Sequence, residues 1–114
     1  MSSLDLETIA ALKALDDGDG FFADMVNTFL DNAKVTFEQL HAAQAANDIC
    51  AVERAAHKLR GAASTIGARN LMAMCEALEK SARAGHVPDV AGSVAAIETE
   101  LQQVRLALQA EMQN

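Results

Sequence analysis

Residues 49–67 read ICAVERAAHKLRGAASTIG, and the spacing of their apolar positions decides the fold. Val52, Leu59 and Ile66 recur at seven-residue intervals, with Ala55, Ala56 and Ala62 filling the gaps. At about 100° of rotation per residue these positions share one face, which predicts an amphipathic helix over 49–66. Glu53, Arg54, His57, Arg60, Gly61 and Ser64 lie on the opposite face. Asp48 supplies an N-cap before this helix, and Gly67 a C-terminal cap after it.

The same periodicity continues on both sides. Upstream, Phe22, Met25, Val26, Phe29, Ala33, Phe37 and Leu40 predict a long amphipathic helix from Phe21 to about Ala46. DDGDG at 16–20 reads as a turn before it. As a calcium loop with Gly20 as the loop glycine, it would need Leu15 as its first ligand and Val26 as its twelfth, which rules that reading out. Leu4, Ile9, Leu12 and Leu15 predict a short first helix. Downstream, Leu71, Met74, Cys75, Leu78 and Ala82 predict a helix over about 68–84. Glu76 with Lys80 and Glu79 with Arg83 form i,i+4 pairs on it, and Gly85 and Pro88 end it. Val90, Val94, Ile97, Leu101, Val104 and Leu108 follow the 4-3-4-3-4 spacing of a bundle seam. The expected fold is all-α: an antiparallel up-down four-helix bundle with a short additional N-terminal helix across one end, in a single domain over 1–114.

Composition agrees. Aromatic residues make up 4% of the chain, with no Trp or Tyr and one Pro, which disfavours a β-sandwich. A net charge of −7 argues against nucleic acid and anionic membrane surfaces as partners. No apolar run reaches the roughly 18 residues of a membrane span. The start, MSSLDLETIAALKAL, lacks the basic leader and apolar run of a signal peptide, so a cytoplasmic location is expected. Cys50 and Cys75 read as small, partly buried hydrophobes in a reducing compartment.

The chemistry concentrates on the polar face of the 49–66 helix. Of the three histidines, His41 and His86 read as ordinary surface residues. His57 differs in its company: Arg54 one turn before, Lys58 adjacent, Arg60 and Gly61 one turn after, and Ser64 further along the stripe. Cations around a surface His favour a bound anion, with phosphate the natural candidate. On periodicity alone, a solvated polar face with a tolerated Gly is an equal reading. Gly61 bears on the choice. It costs about 1 kcal/mol relative to Ala in a helix interior, and its place on the exposed stripe means that core packing does not require it. A missing side chain beside the His opens a lane for a bulky partner.

Other chemistries fit poorly. Glu53 and His57 are spaced Glu-x-x-x-His, unlike the Glu-x-x-His pairs of di-iron bundles, and have no second copy. HExxH, CxxC and GxxxxGK[ST] are absent, so no metal site is expected, nor self-phosphorylation from ATP.

The stretch AAHKLRGAASTIGARNLMAMCEALE, 55–79, resembles the signature of histidine-containing phosphotransfer (HPt) domains. His57, Leu59, Arg60, Gly61, Ala62, Ala63, Gly67, Leu71, Leu78 and Glu79 fall in register with it, and the resemblance runs more loosely over the rest of the chain. Arg60 stands where the family more often has Lys, which keeps the charge and changes the geometry. The resemblance implies a phosphoryl carrier, with His57 as the acceptor from a receiver-domain aspartate. Arg54, Lys58, Arg60, Gly61 and Ser64 are the expected phosphate- and partner-binding residues. Arg60 is expected to be exposed and Glu79 to orient the His57 ring. No cofactor of its own is expected, since magnesium would reside on the receiver. The implied partners are receiver domains of response regulators and a hybrid sensor histidine kinase, met by a monomer. A helical interaction bundle without phosphate chemistry and a small-ligand or metal-binding bundle remain as alternatives.

Overall fold

A computed structural model describes residues 3–113; Met1, Ser2 and Asn114, the ends of the expected domain, lie outside the described residues. The chain forms α1 (Leu6–Ala14), α2 (Phe21–Ala45), α3 (Ile49–Ile66), α4 (Arg69–Arg83) and α5 (Val90–Met112). Among the described residues there is no strand. Helix α3 starts and stops where its end residues dictate. The Asp48 carboxylate accepts the Ala51 amide at 3.1 Å, and Gly67 closes the helix in the left-handed region at φ 73°. At the acidic turn, Asp16 accepts the Gly18 amide at 2.8 Å and the Phe22 amide at 3.0 Å, so it caps α2.

α2 packs on α3 and α5, and α4 packs on the same two helices, which closes a ring of four. The α3–α4 contact is the most extensive. Ala56 and Ala63 of α3 are fully buried, as are Leu71 and Cys75 of α4. Small side chains let the two backbones come close, and this proximity later matters for His57. Val26, Leu40, Val52, Leu59, Ile66, Ile97, Val104 and Leu108 complete the buried seam. Burial of each such aliphatic side chain is worth about 1.5–3 kcal/mol.

Three details differ from the sequence reading. Ala63 takes the core place expected of Ala62, because it stands one heptad after Ala56; Ala62 is half-buried beside α2. Leu15, just past α1, is exposed. Cys50, in the first turn of α3, is exposed where a partly buried side chain was expected, while Cys75 is buried.

The short α1 lies against the α3–α4 turn. The Asp5 amide donates to the Gly67 carbonyl at 2.8 Å, and the Asp5 carboxylate accepts from Thr8 at 2.7 Å and Arg69 at 2.8 Å. A Cβ on Gly67 would stand 2.8 Å from the Thr8 Cβ. Gly67→Ala is therefore expected to cost about 2–3 kcal/mol, combining left-handed backbone strain with overpacking. Denaturant titration measures this directly. A loss below about 1 kcal/mol would contradict the packing of α1 described here.

Candidate functional site

His57 projects from the middle of α3 with 61% of its side chain exposed. The neighbouring α4 brings Glu79 against it. Glu79 stands four residues after Cys75 and three before Ala82, on the inward face of its helix. Its side chain is only 5% exposed, and among the described residues it is the one charged residue that is buried. Burying a carboxylate is costly unless charge and hydrogen bonds compensate. Here three side chains do. Oε2 lies 2.9 Å from His57 Nδ1 and accepts from Arg83 Nη2 at 2.7 Å. Oε1 faces Arg60 Nε at 3.1 Å, an ion pair too bent for a hydrogen bond. Arg83 Nε in turn donates to Glu53 Oε1 on α3 at 3.2 Å. Burial alone pushes the Glu79 carboxyl up. The His57 hydrogen bond and the charges of Arg60, His57 and Arg83 more than offset it and hold the group below its ordinary value.

An ionised Glu79 favours one tautomer of the ring. A lone pair on Nδ1 facing a carboxylate oxygen at 2.9 Å would be repelled, whereas an Nδ1–H donates to it. With the proton on Nδ1, the lone pair sits on Nε2. This is the nitrogen a nucleophile needs, held in a fixed orientation on an exposed ring.

The surroundings of the ring follow the sequence reading in part. A Cβ at Gly61 would meet no neighbouring atom within 4 Å, so this glycine borders open space. Arg54 and Lys58 are exposed and line the same groove as His57, Glu79 and Arg83. Arg54, Lys58, Arg60 and Arg83 are four of the nine Lys and Arg in a chain of net charge −7, so positive charge gathers around His57. Arg60 departs from expectation. It is half-buried, with 36% of its side chain exposed, because its guanidinium reaches across to Glu79 instead of extending into water. Its Nη2 also lies 3.1 Å from His57 Nδ1. Ser64 stays on the stripe, but its hydroxyl donates back to the Gly61 carbonyl at 2.7 Å. The structure therefore does not bring that donor to the ring. The sequence alone gives Arg83 an ion pair with Glu79 and puts Glu53 on the polar face; their spacing, four residues after Glu79 and four before His57, is the signal that links them to the site.

His41 and His86 are exposed and stand outside this network. Burial and the nearby Glu79 charge push the Cys75 thiol up to about 12, with Arg60 partly opposing, so it is no nucleophile at neutral pH. The one cluster of potential metal ligands among the described residues, Asp16, Asp17 and Asp19, belongs to the α1–α2 turn. Among the described residues, no helix is long and apolar enough to cross a membrane.

Comparison with known proteins identifies the family. The Hpt domain profile matches residues 24–107. The structure superposes on that of histidine-containing phosphotransfer protein B of Pseudomonas aeruginosa PAO1 with a TM-score of 0.88 at 31% identity, covering 97% of this chain and 95% of that one. A rice chain assigned as a histidine-containing phosphotransfer protein shares the fold, with a TM-score of 0.85 at 19% identity, covering 98% of this chain and 82% of that one. Among proteins of curated function, none matches significantly. The profile match, the first of these superpositions and the His-bearing helix bundle together show that the chain belongs to the Hpt domain family, the histidine phosphotransfer modules of phosphorelays.

Proposed function

We propose that His57 is the phospho-acceptor, taking a phosphoryl group from a receiver-domain aspartate and passing it to another receiver. The observation that carries this is the buried Glu79 on Nδ1, which leaves Nε2 as the free nitrogen of a largely exposed side chain. In the transfer, the Nε2 lone pair attacks phosphorus in line. An N–P bond forms while the bond from phosphorus to the aspartyl oxygen breaks, and the carboxylate leaves. The Nδ1 proton stays in place, so the phosphorylated ring carries positive charge that the adjacent Glu79 offsets. Such transfer depends mainly on positioning and charge stabilisation. Arg60 neutralises phosphoryl charge, and Arg54 and Lys58 steer an acidic receiver surface toward the ring. Magnesium is assigned to the receiver. The chain acts as a monomeric carrier, not as a kinase.

Presenting the chain with a panel of phosphorylated receivers tests this. Rapid acquisition of label at His57 from a subset of them supports the carrier reading. Receivers that bind but never label it would favour a plain interaction bundle.

Glu79 provides a sharper check. Glu79→Ala is expected to slow transfer by about 10- to 100-fold, by analogy with the cost of losing the partner that orients a metal-bound histidine. The fold should survive, because Arg60 and Arg83 can turn to solvent. Transfer rates and thermal melts on the same samples separate the two effects. Equal rates in variant and parent would contradict the orienting role.

A further inference from the structure

We propose that Arg83 is a positioning residue for the transfer reaction: braced by Glu53, it holds Glu79 Oε2 on His57 Nδ1 and so selects the tautomer whose Nε2 is the nucleophile. This rests on the reading of His57 as acceptor and adds the device that prepares it.

Two groups compete for one nitrogen. Glu79 Oε2 lies 2.9 Å from Nδ1, and Arg60 Nη2 lies 3.1 Å from the same atom. They demand opposite tautomers. The carboxylate requires a proton on Nδ1; the guanidinium, which only donates, requires a lone pair there. If Arg60 wins, the proton moves to Nε2 and the exposed nitrogen is no longer a nucleophile. The outcome depends on where Oε2 is held.

Arg83 is the one cation on Oε2, at 2.7 Å, the shortest contact of the network. Arg60 pairs with the other oxygen, Oε1. Arg83 is itself fixed, because its Nε is tied to Glu53, one turn before His57 on the same helix. The bracket thus runs from α3 through Arg83 to α4 and back to the His57 ring. Without Arg83, Arg60 is the only cation left on the carboxylate and draws it toward the Oε1 side, which loosens the hold of Oε2 on Nδ1. An incoming phosphoryl group also draws Arg60 away. Arg83, committed to Glu53, stays.

A strut that merely ties α3 to α4 would affect stability alone. The test therefore reads the ring directly. Imidazole 15N shifts in two-bond 15N–1H correlation spectra, recorded where His57 is neutral, report which nitrogen carries the proton. Transfer rates from a phosphorylated receiver and melting temperatures are measured on the same proteins. The unmodified chain should show Nδ1–H. Arg83→Ala should shift His57 toward Nε2–H and slow transfer about tenfold, by analogy with the loss of a partner that orients a metal-bound histidine. Arg83 is 62% exposed, so the fold should tolerate its loss. Glu53→Gln should act in the same direction more weakly, and Arg83→Lys should recover part of both effects. An unchanged tautomer in Arg83→Ala and Glu53→Gln overturns the proposal, as does a shifted tautomer with unchanged transfer. A ring already Nδ1-protonated in a chain that no receiver labels at His57 would instead overturn the acceptor reading.

Discussion

A His57→Gln variant is expected to fold normally and to take up no phosphoryl group from any phosphorylated receiver. The side chain is largely exposed, and Gln is a good helix former, so α3 should be unaffected. The Gln amide can still donate to Glu79, whose pairs with Arg60 and Arg83 remain. What disappears is the nucleophilic nitrogen. His41 and His86 cannot substitute, since neither has a buried carboxylate on its ring. Labelling should fall to background while the melting temperature stays within a few degrees of the parent. Labelling of the variant to the parent's stoichiometry would move the acceptor elsewhere.

The second large effect belongs to Gly61. Propensity favours Ala at this helix position by up to about 1 kcal/mol, and no neighbouring atom lies within 4 Å to oppose a Cβ. Gly61→Ala should therefore match or exceed the parent in melting temperature. Gly61→Gln should also fold. Its longer side chain stands in the lane toward the ring, one turn from His57. Displacing the receiver by about 1 Å is enough to slow a positioned reaction roughly a hundredfold, and that is the loss expected for Gln, with Ala intermediate. Melting temperature and transfer rate measured together decide the matter. Normal transfer per folded Gln variant, or a lower melting temperature for Ala, would show that the glycine serves something other than docking.

Much of this architecture was legible because the deciding signals are local. Asp48 and Gly67 set the ends of α3 where the spacing predicted them, and the heptad of Val52, Leu59 and Ile66 set its buried face. The end of α5 was less legible. Its apolar pattern stops at Leu108, yet the helix runs to Met112, since no Gly or Pro interrupts it. The start of α1 follows Asp5, whose carboxylate caps the first turn, so Leu4 is buried without being helical.

The site divides in the same way. His57, Gly61 and the exposed cations follow from the position of each on one helix face. The contact of Glu79 with His57 is legible only through family resemblance, since nothing in the spacing of α4 aims its carboxylate at His57. Arg60 is half-buried for a related reason. A single-helix projection puts it in water, whereas the structure turns it toward a carboxylate on the next helix. The Glu53–Arg83–Glu79 bracket likewise exists only once α3 and α4 lie side by side. Ser64 stays exposed on the stripe with its hydroxyl satisfied on the preceding turn, an arrangement open to any helical serine.

If Glu79 holds Nδ1, the phosphoryl group must reside on Nε2 of His57. Mixing the 15N-histidine-labelled chain with a phosphorylated receiver and recording 15N and 31P spectra of the product identifies the nitrogen bonded to phosphorus. The prediction is a single phosphoramidate on Nε2 of His57, stable in alkali and lost in acid. A phosphoryl group on Nδ1, or on any residue other than His57, would contradict it.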